Sequence, residues 1–155
     1  MNIENLELLQ NKLYLVTGKD SSYPKKKHDV SILEELPIIY REKGSGTRYT
    51  MECYFESKGV LLKKQMELTS NEAVKQAIIA GLGSSIMPLI GIKNEIHNGQ
   101  LNIIHVKGLP IKSSWHIIWQ KNKGFSPVAS AFLNYLKKEK DQIIQKEFNW
   151  YENFI

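Results

Sequence analysis

Two short polar segments carry the residue types that can hold a small anion. The first is Gly44-Ser45-Gly46-Thr47, a glycine-flanked turn running into a helical pattern. The second is Thr69-Ser70-Asn71, which leads into another helix about 25 residues later. The first turn of a helix has backbone N–H groups without intrahelical acceptors, and the helix dipole favours negative charge there. Arg41 and Arg48 lie close in sequence to the first turn and add positive charge. The same residue types also begin helices that bind nothing, because Ser, Thr and Asn are ordinary N-caps. The spacing alone leaves both readings open.

Catalytic chemistry finds less support. His28, His97, His105 and His116 are scattered, without the spacing of a metal site. Cys53 sits in a helical pattern between Glu52 and Tyr54 and reads as a packed residue, not a nucleophile. Ser45 lacks the G-x-S-x-G context of a nucleophile elbow, and Gly44-x-Gly46 is too short for a dinucleotide or P-loop fingerprint. The expectation is a binding protein with no enzymatic activity, no cofactor and no metal.

The elements that position these segments follow from hydrophobic pattern and punctuation. Leu13 to Thr17 is a buried strand closed by Gly18, and Ser31 to Leu36 a short helix stopped before Pro37. Ile38 to Tyr40 is a strand, followed by a helix from about Thr47 to Ser57 that Gly59 ends. Gln65 to Leu68 is a strand. Thr69 and Glu72 then form a capping box with Thr69 as N-cap, and Ala73, Val74, Ala77 and Ile78 make the buried stripe. Ser85 to Met87 is a strand, Pro88 opens a helix reaching about Asn98, and Leu101 to Val106 is a strand. Gly108-Leu109-Pro110 is a linker to a strand at Trp115 to Gln120. Pro127 opens a long helix with Val128, Ala131, Phe132, Tyr135 and Leu136 inward. The aromatic tail, with Phe148, Trp150, Tyr151 and Phe154, docks on folded protein. Alternating strands and helices indicate an α/β architecture, whose ligands bind at the carboxyl ends of strands.

Composition sets the outer bounds. The chain has 155 residues, 42% hydrophobic and 24% charged, so it can build a core. No apolar run approaches the ~20 residues of a membrane span. The N-terminus lacks a signal-peptide pattern and there is one cysteine, so a soluble, cytoplasmic protein is expected, with no membrane partner. The net charge of +5 is concentrated in Lys25-Lys26-Lys27 and around Lys137, Lys138 and Lys140, which read as solvated surface without a nucleic-acid motif.

Two longer segments resemble a known family. YREKGSGTRYTMECYFESKGV (Tyr40 to Val60) is similar to the RE-x-GSGTR turn and helix of the effector-binding domain of LysR-type transcriptional regulators. LTSNEAVKQAIIAGLGSSIMP (Leu68 to Pro88) is similar to that family's S-N-E-A signature, and Ile103 to Leu136 to its crossing strand and return. Ser84 stands where the family pattern has an aliphatic residue. The resemblance implies a two-lobe, periplasmic-binding-protein-like (type 2) α/β fold with an effector held between the lobes. It assigns residues 37–106 to a complete second subdomain, and residues 1–36 and 107–155 to an incomplete first one. It also implies effector contacts at Ser45, Gly46, Thr47, Thr69, Ser70, Met87 and Pro88, with Arg48 nearby and its side chain turned to bulk water; Asn71 joins them as a candidate from the second helix entrance. Small-molecule effector binding, self-association into a homo-oligomer, and DNA contact only through a winged helix-turn-helix absent from these residues complete the expectation. A transporter's solute-binding protein, which shares the fold, and a remnant that binds nothing are the alternatives.

Overall fold

A computed structural model describes residues 2–21, 23 and 26–154. Pro24 and Lys25 of the basic loop lie outside the described residues. In order, the elements are β1 (Ile3–Gly18), α1 (Ile32–Glu35), β2 (Pro37–Arg41), α2 (Gly46–Ser57), β3 (Lys63–Leu68) and α3 (Asn71–Ile79). They continue with β4 (Ser85–Pro88), a 3-10 turn (Leu89–Gly91), α4 (Lys93–His97), β5 (Leu101–Ile104), β6 (Ile111–Gln120), α5 (Pro127–Glu147) and α6 (Asn149–Glu152). The chain divides into two compact units: Met1–Asn11 with Ser114–Ile155, and Lys12–Ser113.

The unit of residues 12–113 is built on strands in the order β3, β2, β4, β1, β5. β2 and β3 are parallel, with Tyr40 opposite Glu67 and Arg41 opposite Leu68. β4 joins β2 through a parallel bridge, Ile38 to Ser84, in which Ile39 N–H donates to the Ser84 carbonyl at 2.7 Å. The C-terminal part of β1 runs antiparallel between β4 and β5, pairing Leu15 with Ile86 and with Ile104. Side chains alternate across the strands. Leu13, Leu15, Ile38, Ile86 and Ile104 therefore join Leu33 and Leu36 beside α1, and Met51 and Phe55 of α2, in one core. The alternate residues Tyr14, Val16, Ile39 and Met87 are buried as well, as are Val74, Ala77 and Ile78 of α3. Both faces of β2, β4 and the inserted part of β1 are covered, whereas β3, at the edge, is exposed or half-buried throughout.

Several expectations shift. The strand at Leu13–Thr17 was assigned by resemblance to the first lobe. It is hydrogen-bonded to β4 and β5 and falls in the compact unit of residues 12–113. Pro88 does not begin a helix: with ψ 127° it is the last residue of β4. The expected helix is split into the 3-10 turn and α4, because Leu89 and Ile92 are both fully buried and weak helix formers lie between them. Cys53 is exposed on α2, not packed.

In the other unit the N-terminal part of β1 pairs with β6. Ser114 Oγ donates to Glu7 at 2.7 Å and Trp119 Nε1 to Glu4 at 2.8 Å. Tyr151 of the aromatic tail is fully buried. α5 is turned from its expected orientation. Leu133 is buried, with Ala129, Leu136, Ile143 and Ile144 half-buried on the same stripe. Val128, Phe132 and Tyr135, expected inward, are 79%, 54% and 55% exposed. α5 carries two apolar stripes and this unit covers one of them.

Candidate functional site

β2, β3 and β4 end side by side, and each end leads into one of the segments singled out in the sequence. After Arg41 the chain makes a turn in which Ser45 N–H donates to the Glu42 carbonyl at 3.2 Å. Gly44 takes φ 92°, a conformation that favours glycine. Ser45 is the N-cap of α2, its hydroxyl accepting from Arg48 N–H at 3.4 Å. Ser45 is buried, with its side chain engaged in the cap. The N–H groups of Gly46 and Thr47 have no acceptor among the described residues.

The second turn differs from expectation by one residue. Ser70, with extended φ and ψ, is the N-cap of α3, and its Oγ accepts from Ala73 N–H at 3.0 Å. Thr69 is exposed and takes no part in the cap. Both residues carry a hydroxyl, and the backbone selects the one three positions before Ala73. Glu72 does not reach back either: it accepts from Gln76 and pairs with Lys75. Met87 and Pro88 are buried at the end of β4, where Met87 pairs with Tyr14 and Pro88 with Leu13.

Two arginines brace this edge. Arg41 Nε and Nη2 donate to the two oxygens of Glu42 at 2.7 and 2.8 Å, while Nη1 donates to Asn71 Oδ1. The end of β2 is thus tied to the first residue of α3. Sequence reasoning gave Arg41 only a general role as nearby charge. Arg48 does not point to bulk water. Its Nε donates to Glu52 at 2.7 Å, and its Nη1 donates to Glu67 at 2.8 Å and to the Arg41 carbonyl at 3.1 Å. Its guanidinium also lies 5.3 Å from the Tyr40 ring centre. With its charge matched by two carboxylates, Arg48 positions α2 against β2 and β3. The hydrogen bond from Lys64, then that from Arg48, lowers the Glu67 pKa to about 2. The remaining offer to a ligand is the backbone N–H groups at two helix ends, the exposed Thr69, and the half-buried Thr47. Such an arrangement suits a compact anion.

The LysR substrate binding domain family matches residues 2–141. The HTH-type transcriptional activator CmpR of Synechocystis is 39% identical over 137 residues, which cover 88% of this chain and 45% of CmpR. The RuBisCO operon transcriptional regulator of Acidithiobacillus ferrooxidans is likewise 39% identical over 137 residues, covering 88% and 44%. The chain spans less than half the length of these relatives. Among solved structures, the Synechocystis CcmR regulatory domain in complex with 2-PG superposes with a TM-score of 0.83 at 30% identity, covering 90% of this chain and 68% of that one. The effector binding domain of QuiR in complex with shikimate, at 18% identity and a TM-score of 0.78, shares the fold. The expected two-lobe, periplasmic-binding-protein-like α/β fold is the fold of these domains.

The cap geometry and the Glu67 cluster each give a measurable outcome. Ser70→Ala should lower stability in urea unfolding by about 1 kcal/mol. Thr69→Ala should cost less than about 0.5 kcal/mol, as for an exposed residue outside the cap; the reverse order would restore Thr69 as the cap. Glu67 has a folded pKa below its ordinary 4.5, so its contribution is present above about pH 4.5 and is lost as pH falls through about 2. Urea midpoints of wild type and Glu67→Gln should therefore differ at pH 5 and converge near pH 2. A gap that stays constant over that range would remove the linkage.

Proposed function

Because the chain belongs to the LysR substrate-binding domain family, we propose that it is the effector-sensing part of a transcriptional regulator and binds a small anionic metabolite at the paired helix ends of α2 and α3. The observation that carries this reading is the side-by-side ending of the parallel strands β2 and β3. Each leads into a helix N-terminus, and Arg41 ties the two together through Asn71. Thr47 and Thr69 contact the ligand with their hydroxyls, and the N–H groups of Gly46, Thr47 and Asn71 meet its charge. Ser45 and Ser70 hold the helix ends in place, Met87 and Pro88 form the floor, and Arg48 acts from behind through Glu67.

The protein works in the cytoplasm as a sensor without enzymatic chemistry, and DNA is contacted by a winged helix-turn-helix outside these 155 residues. Among the described residues no helix is long and apolar enough to cross a membrane. Effector binding acts by favouring one of two conformations, since a ligand shifts an equilibrium only by its differential affinity for the two states. The transporter alternative gives way to this reading because the relatives that match are transcriptional regulators. The ligand of the related Synechocystis domain, 2-PG, is the natural first probe.

Thermal denaturation of the purified chain with 2-PG tests the site. A ligand that binds only the native state stabilises by about 2.7 kcal/mol at a hundred times its Kd, and the melting temperature rises accordingly. The rise should appear in wild type and shrink in Thr47→Ala and Thr69→Ala, neither of which removes a helix cap. A well-folded chain whose melting temperature responds to neither 2-PG nor a panel of phosphate and carboxylate metabolites would favour the remnant that binds nothing. Separately, the exposed stripe of Val128, Phe132 and Tyr135 leads us to expect self-association. Sedimentation velocity should show a species heavier than the 17.9 kDa monomer, reduced by Phe132→Ser; a clean monomer at micromolar concentration would refute it.

A further inference from the structure

Helix α2 starts at the proposed anion site and makes a second, long-range attachment toward its other end. Tyr54 Oη donates to the Gly108 carbonyl at 2.6 Å, across 54 residues of sequence. The approach is close. Gly108 takes φ 92°, and a Cβ at this position would lie 2.5 Å from the Tyr54 hydroxyl, so both the backbone and the contact call for glycine. The Tyr54 ring stands edge-on to Phe55, with centroids 5.1 Å apart, and Lys58 Nζ lies 5.8 Å from its centre. Tyr54 and Leu109 both pack against the core that holds Met51 and Phe55.

Gly108 belongs to the turn between β5 and β6. Leu109 N–H closes this turn onto the Val106 carbonyl at 3.1 Å, and Val106 and Ile111, on either side of it, are buried in the same core. β6 then runs on past Ser113, where the unit of residues 12–113 ends, so its residues from Ser114 onward belong to the other unit. The turn that Tyr54 holds thus leads directly into a strand shared by the two units. A helix rises about 1.5 Å per residue, which sets Tyr54 about 12 Å along the axis from Gly46. Packed helices shift as bodies and do not stretch. A displacement at one end of α2 is therefore carried to the other. A cleft of about 370 Å³, lined in part by Val30, Lys58 and Lys107, adjoins the Tyr54 ring and gives the turn space to follow.

We propose that Tyr54 is a positioning residue for signalling: through Gly108 it couples occupancy of the anion site to the β5–β6 turn and so to the unit containing residues 114–155. This coupling rests on the anion-site reading above. The chain's three tryptophans, Trp115, Trp119 and Trp150, all lie in that other unit, so their emission reports what reaches it, while binding heat reports the anion site itself. The test is calorimetric and fluorescence titration of the full chain with 2-PG. Wild type should give binding heat and a shift in tryptophan emission. Tyr54→Phe keeps the ring and its packing but lacks the donor. It should bind 2-PG at least as tightly, because the ligand no longer has to move the turn, and should lose the emission shift. Gly108→Ala, which forces the hydroxyl off the turn, should lose the shift too. With wild type binding, an emission shift kept in both variants, no shift in wild type, or joint loss of binding and shift in Tyr54→Phe would each overturn the coupling and leave the anion site standing. Absence of binding in wild type would instead overturn the anion site, and the coupling with it.

Discussion

The antiparallel insertion of Leu13–Gly18 between β4 and β5 is the constraint on which the larger unit depends. Leu13, Leu15 and Val16 are fully buried there, and the strand is hydrogen-bonded on both sides. Without it β5 would have no neighbour in the sheet, and β4 would keep only its bridge to β2. That bridge is short, yet it aligns the strand ends, so the placement of the Ser45 and Ser70 turns depends on a segment that precedes them by about thirty to fifty residues. Burial of apolar surface on both faces supplies the driving force. The hydrogen bonds fix which strand lies where.

Electrostatics then stiffens one edge of this scaffold. Arg48 is nearly buried and would be costly there if unmatched; Glu52, Glu67 and the Arg41 carbonyl satisfy it. Arg41 plays a corresponding part on the exposed side, joining Glu42 to Asn71. Both guanidiniums use planar, directional donor geometry to hold the backbone at two helix starts. Their positive charge is largely answered within the protein. A bound anion would meet main-chain dipoles more than free cations.

The sequence makes most of the second unit's elements legible, because each is a strongly patterned run with its own punctuation. Local signals fail where two choices are chemically alike. Thr69 and Ser70 both carry a capping hydroxyl, and only the backbone distinguishes them. Val128, Phe132 and Tyr135 compete with Ala129, Leu133 and Leu136 as the inner stripe of α5, and periodicity supports either face. The apolar run at Leu13 announces burial without naming its neighbours. Contacts such as Arg41 with Asn71, thirty residues apart, leave no trace in spacing; the hint was a charged residue closing a strand beside a turn. The two polar segments were legible by type, while the division between Thr47 and Thr69, which take no part in a cap, and Ser45, Ser70 and Arg48, which hold the helix starts, needed coordinates.

The burial of Ser45 has an evolutionary consequence. If the main chain supplies the attraction for negative charge, that attraction survives most substitutions, since nearly every residue type brings the same N–H. Discrimination among anions then falls to a few outward side chains, Thr47 and Thr69 foremost, which can change without disturbing a cap or the core. Affinity for a class of molecule and choice within that class are thereby separately heritable, and a lineage can acquire a new signal while keeping the same receptor frame.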